Sequence, residues 1–224
     1  MMRTPVGMAA VIAALGVLMV VVRVLQSCGL VGPELGRKVV HAGMGTIALS
    51  FPWVFADSRP VWALVGLSIA ILLAVRWAPV LKSRFGGVLG GVDRNSWGEV
   101  FFPIGIATAF SLAQGDAATF CGAVGVLAFA DTAGALVGTR WGRTRYTVAG
   151  NRKSIEGSAA VWIVSSVSVA CASLALGSQS PANVLLHSLV IGLAASLLEG
   201  VASYGLDNLL LPALVVELMR HWAD

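Results

Sequence analysis

Long apolar runs alternate with short polar stretches along the chain, and that alternation sets the first expectation. Apolar runs of about 17–25 residues can cross a bilayer as helices, and the candidates are 6–22, 39–55, 61–75, 100–113, 117–139, 158–177 and 184–201. A further run, 209–218, is short and contains Pro212, which suits a half-span. The pattern predicts an all-α, polytopic integral membrane protein with seven or eight transmembrane helices. They form one domain, residues 1–224, with no soluble domain attached. No repeat period or low-complexity segment breaks the pattern.

Composition strengthens this reading. Of 224 residues, 57% are hydrophobic and 12% charged, too little charge to cover a soluble surface. Leu25-Gln26-Ser27-Cys28 loosely resembles a lipoprotein cleavage site, but Arg23 interrupts the approach to it, which argues against processing. Cys28, Cys121 and Cys171 are far apart and lack C-x-x-C spacing, so they read as packing residues.

Charge gives the helices an orientation. With the first residues outside, the inner loops carry Arg23, Arg37, Lys38, Arg76, Lys82, Arg84, Arg94, Arg140, Arg143, Arg145, Arg152 and Lys153. The outer loops carry only Arg3, Arg59 and Arg220. Twelve against three places the amino terminus outside and the loops 80–98 and 140–156 in the cytoplasm. Trp53 and Trp62 mark one interface; Trp77, Trp97 and Trp141 mark the other. Basic loops of this kind need no role beyond orientation and attraction to anionic headgroups.

The acidic residues ask for more. Glu99, Asp131, Glu156, Glu199 and Asp207 fall within, or at the inner ends of, the spans. An ionisable group there is costly unless paired or wet, and so marks a functional candidate. Asp131, Gly134, Ala135, Gly138 and Gly142 share one helical face, a carboxylate above a lane of small residues. Such a lane usually serves helix–helix contact. Downstream, Arg140, Arg143, Arg145, Arg152 and Lys153 can neutralise a polyphosphate, and Ser154 and Glu156 lead into a helix start at Gly157 with free amides. Asp131 and Glu156 could share a divalent ion with phosphate oxygens.

Two other segments add partners. Arg37, Lys38 and His41 lie on one helical face above Gly45. Glu199 sits inside an apolar run, and Gly205, Asp207-Asn208 and Pro212 follow as a helix break and cap. His187, with no charged neighbour, reads as packing.

These segments together resemble the polyprenol kinase family, which includes dolichol, phytol and farnesol kinases and a CTP-dependent diacylglycerol kinase. The resemblance runs over 37–212. It rests on Arg37-Lys38-Val39-Val40-His41, on Asp131-Thr132-Ala133-Gly134-Ala135 with Gly138 and Gly142, and on Lys153-Ser154-Ile155-Glu156-Gly157-Ser158. Ser96-Trp97-Gly98-Glu99 with Phe102-Pro103, and Glu199 with Asp207-Asn208-Leu209 and Pro212, complete it. Phosphatidate cytidylyltransferases are distantly similar in the same blocks, but their ending is replaced here by Tyr204-Gly205-Leu206-Asp207-Asn208-Leu209.

The resemblance implies phosphorylation of an isoprenoid alcohol by CTP with Mg²⁺ or another divalent cation. The nucleotide site would occupy 131–157 and 199–208. Asp131, with Asp207, Glu199 or Glu156, would hold metal. Arg37, Lys38, Arg152 and Lys153 would bind phosphates beside Gly134, Gly138, Ser154, Glu156, Gly157 and Asn208. Asp207 would be the general base, with His41 as second choice. The alternatives are cytidylyl transfer to phosphatidate, a diacylglycerol acceptor, or a small membrane transporter. The expected partners are CTP and a membrane lipid alcohol, with no nucleic acid; assembly into a homo-oligomer stays open.

Overall fold

A computed structural model describes residues 4–77, 97–148 and 151–222. Arg3, Lys82, Arg84, Arg94 and Ser96, with most of the loop 80–98, lie outside these described residues. The chain forms helices α1 (Thr4–Ser27), α2 (Pro33–Ala48), α3 (Phe51–Val54), α4 (Arg59–Trp77), α5 (Gly98–Leu112) and α6 (Ala117–Gly125). A π-helical turn (Val126–Ala130) joins α6 directly to α7 (Asp131–Trp141). Strands β1 (Arg145–Val148) and β2 (Asn151–Ser154) follow, and then α8 (Ile155–Leu176), α9 (Pro181–Val201) and α10 (Asp207–His221).

Each apolar run is helical, with two departures from expectation. The run 39–55 is broken: α2 starts early, at Pro33, and stops at Ala48, while Pro52 opens the separate turn α3. Proline at a helix start is pre-set for it, and Pro52 has no N–H to offer the Ala48 carbonyl. The second departure is the antiparallel hairpin β1–β2, with Arg145 opposite Ser154 and Val148 opposite Asn151. Its Tyr146-Thr147-Val148 run is aromatic and β-branched, as strands prefer. Apart from this hairpin, the regular structure among the described residues is all helical.

Among the described residues, four helices are long and apolar enough to cross a membrane: Thr4–Ser27, Ala117–Trp141, Ile155–Leu176 and Pro181–Val201. Arg59–Ala74 and Gly98–Leu112 are apolar but shorter. Side-chain caps fix several starts. The Asp116 carboxylate accepts from the Ala118 and Thr119 amides, Ser154 from Gly157, and Ser180 from Asn183.

The α6–α7 span is the centre, with α2, α8 and α10 packed around it. Val124, Val126, Leu127 and Ala130 are fully buried there. An aromatic group steadies its N-terminal half, with the Phe110 and Phe120 rings edge-on at 5.2 Å and Phe51 stacked on Phe120 at 6.3 Å. Helix α1 lies against α2 and leaves Val17 and Val20 exposed, as a lipid-facing helix would. The starts of α2, α5 and α10, the ends of α7 and α9, and the hairpin gather around one cavity.

Candidate active site

One face of α2 grips the central span. Lys38, His41 and Gly45 are three and four residues apart and so point the same way. Lys38 Nζ donates to Asp131 Oδ2 at 2.7 Å. His41 Nε2 lies 3.0 Å from the Leu127 carbonyl oxygen and 3.9 Å from Asp131 Oδ2, with its ring centroid 4.2 Å from that of Phe102. At Gly45 a Cβ would stand 2.2 Å from the Ala128 Cβ, so the close approach requires glycine.

Leu127 and Ala128 belong to the π turn, where the wider ladder disturbs the usual carbonyl pairing. His41 serves the Leu127 carbonyl, and Thr132 Oγ1 donates to the Ala128 carbonyl at 3.1 Å. A carbonyl only accepts, so His41 Nε2 carries the hydrogen. One extra residue in the turn rotates everything beyond it by about 100° relative to a continuous α-helix. The grip of α2 therefore sets the direction of Asp131, the first residue of α7.

The hairpin and the start of α8 supply the other side. Ser154 caps α8 through the Gly157 amide at 3.1 Å, and Tyr146 shares a 2.7 Å hydrogen bond with Ser158. Lys153 Nζ donates to Glu199 Oε1 at 2.9 Å and to the Glu199 carbonyl, which pins the hairpin to the last turn of α9. The lane of small residues on α7 serves helix contact. A Cβ on Gly134 would meet Val161 Cγ2 at 2.5 Å, and one on Gly157 the Gly134 carbonyl at 2.9 Å. Both glycines also reach the cavity.

These elements enclose a cavity of about 660 Å³. It is lined by Arg37, Lys38, His41, Asp131, Gly134, Gly138, Arg152, Lys153, Ser154, Gly157, Glu199, Asp207 and Asn208. One expected member is missing from the lining: Glu156. Its carboxylate accepts from the Thr144 amide at 3.1 and 3.3 Å, so it closes the base of the hairpin instead. Glu34 and Arg145 also line the cavity. Glu34 forms an ion pair with Arg37 at 2.8 Å. The signal for Arg145 is the hairpin register, which sets it beside Ser154.

Among the described residues no three His, Cys, Asp or Glu side chains converge as a metal cluster. Asp131 and Glu199 each face a lysine. Asp207, at the head of α10 and before its apolar stretch, is different: burial, then the Asp131 and Glu199 charges, push its carboxyl up to about 6. The neighbouring Asn208 Oδ1 is buried with no donor. Hard oxygens in ones and twos fit Mg²⁺, which takes one or two carboxylates along with substrate phosphates and waters.

A helical membrane protein whose cavity joins an apolar wall to paired lysines, arginines and carboxylates has the makings of a lipid phosphotransferase. The chain is 32% identical to a phytol kinase of Synechocystis sp. over 222 residues, covering 94% of this chain and 90% of that protein. No family model and no solved structure matches it. The chain belongs to the polyprenol and phytol kinase family.

Proposed function

We propose that this protein is a lipid-alcohol kinase that transfers the γ-phosphoryl group of CTP to the hydroxyl of an isoprenoid alcohol of the phytol, farnesol or polyprenol type. One observation carries the reading: the same cavity holds the basic and acidic residues at one end and apolar side chains of α1, α2, α4 and α5 at the other. A charged donor and an oily acceptor can meet there without either leaving its own phase.

Arg152, Arg145 and Arg37 surround the donor's phosphates with positive charge, and Lys38 holds Asp131 toward the cavity. Phosphoryl transfer depends mainly on such positioning and electrostatic stabilisation. Asp207 is the general base. Its raised carboxyl matches a group that must accept a proton near neutral pH. The acceptor oxygen bonds to the γ-phosphorus, the bond from that phosphorus to the β,γ-bridging oxygen breaks, and CDP leaves. The hydroxyl proton passes to Asp207. Asp131 and Asn208 would hold Mg²⁺, which neutralises phosphate charge when bound. In this reading the chain crosses the membrane seven or eight times, using α2, α4, α5 and part of α10 as well as the long helices. The amino terminus is external and the polar end of the cavity cytoplasmic.

The test is the fate of two labels. Purified protein given γ-labelled CTP and geranylgeraniol or phytol should yield labelled lipid and CDP, while α-labelled CTP leaves the lipid unlabelled. Asp207→Asn should abolish transfer more than it weakens CTP binding. Label from the α-position in lipid, with pyrophosphate released, would establish cytidylyl transfer instead.

A further inference from the structure

The apolar half of the cavity has a direction and an end. On α2 its lining passes from His41 to Met44, on α4 from Leu72 to Ser68, and on α1 from Leu18 to Leu15. Numbers rise on α2 and fall on α1 and α4, so all three walls recede from the polar end together. A second cavity of about 60 Å³ shares Leu15, Met44, Ser68, Phe102 and Pro103 with the first. It continues to Ile47, Phe51 and Val61. There it stops. Val61 and Phe51 are buried, and Phe51 is braced by the Phe55, Phe110 and Phe120 rings.

The side of this space faces lipid. Helix α1 packs along α2 and α4 along α5, whereas α1 and α4 barely touch. Ile71 of α4 lines the cavity and is still 50% exposed. An apolar chain can therefore enter sideways between α1 and α4 and turn toward Phe51.

We propose that this closed apolar gallery, walled by Leu15 and Met44 and floored by Phe51, holds the hydrocarbon tail of the acceptor alcohol and measures its length. The inference rests on the kinase reading and adds a chain-length limit to it. From Lys38 to Ala48 the α2 wall rises about 15 Å, at 1.5 Å per residue. An extended chain advances about 1.2 Å per bond, so an isoprene unit of four bonds takes about 5 Å and the gallery holds about three units. Each methylene buried within that length tightens binding about fourfold. A further unit meets Phe51 or leaves through the α1–α4 gap, and gains nothing.

The experiment measures kcat/KM with γ-labelled CTP over isoprenoid alcohols of two to eleven units, in the unaltered chain and three variants. The unaltered chain should improve from two units to three and gain nothing beyond that. Leu15→Trp and Met44→Trp, on different helices, should keep the two-unit alcohol within about threefold while losing the four-unit alcohol by at least about tenfold. Phe51→Ala should extend that gain to longer chains. The two-unit activity reports folding in each variant. A working kinase whose length profile is the same in all three variants, or which loses all lengths equally in all three, overturns the gallery and leaves the kinase reading standing. No labelled lipid from any alcohol with the unaltered chain overturns the kinase reading, and the gallery with it.

Discussion

A buried carbonyl left without a donor costs about 1–3 kcal/mol, which gives His41 work to do without any proton transfer. Its Nε2 serves Leu127 inside the π turn, and the same helix face sends Lys38 to Asp131. His41→Ala should therefore misdirect Asp131 and lower kcat by about ten- to a hundredfold, with less effect on the KM for the alcohol. His41→Gln keeps an N–H donor but cannot titrate, and should recover most of that loss. A glutamine variant as inactive as the alanine one would return His41 to the role of base. Lys38→Met is a harsher change. It strands a carboxylate in a mostly buried pair, and should destabilise the protein by about 3–5 kcal/mol, visible as a lower thermal midpoint in detergent. The sequence made both residues candidates through their shared face. It could not reveal the partner of His41, because nothing local announces a π turn at Val126–Ala130 in an unbroken apolar run.

At the scale of elements, the hairpin is what sequence periodicity missed. A strand of four residues, Arg145–Val148, gives too short an alternation to stand out among basic side chains. Its placement changes the roles of its neighbours. Glu156, read as a metal ligand beside Asp131, is held by the Thr144 amide at the hairpin base. Lys153, read as a phosphate ligand, also ties the hairpin to α9 through Glu199. A double-mutant cycle separates these two functions. If Lys153 acts mainly through Glu199, then Lys153→Met, Glu199→Gln and the double variant should lose similar amounts of activity, and the coupling should approach the whole effect of either change. If Lys153 also binds phosphate, Lys153→Met should lose about ten- to a hundredfold in efficiency for CTP beyond the loss from Glu199→Gln. Additive losses would mean that the pair does not operate as a unit.

For the whole molecule, helix positions were legible because burial in lipid demands long apolar runs. The cavity was not, because its walls come from helices far apart in the chain, such as Leu15, Met44 and Ser68. The proposed orientation rests on a different property, the distribution of charge. Arginine and lysine are concentrated in loops that would share the side of the hairpin, and cytoplasmic loops carry that excess. Crossings in alternation from an external amino terminus would put the hairpin inside and the turn between α8 and α9 outside. Thr147 on the hairpin and Ser178 in that turn are both exposed, so each can report its side. In a background with Cys28, Cys121 and Cys171 replaced by serine or alanine, Ser178→Cys should react with a membrane-impermeant thiol reagent in intact cells. Thr147→Cys should react only after the membrane is opened. Neither position lies in the proposed phosphate or carboxylate set, so phosphorylation of lipid alcohol should persist in both and confirm a folded protein. Reaction of Thr147→Cys from outside would invert the protein and cut the polar end of the cavity off from cytosolic CTP.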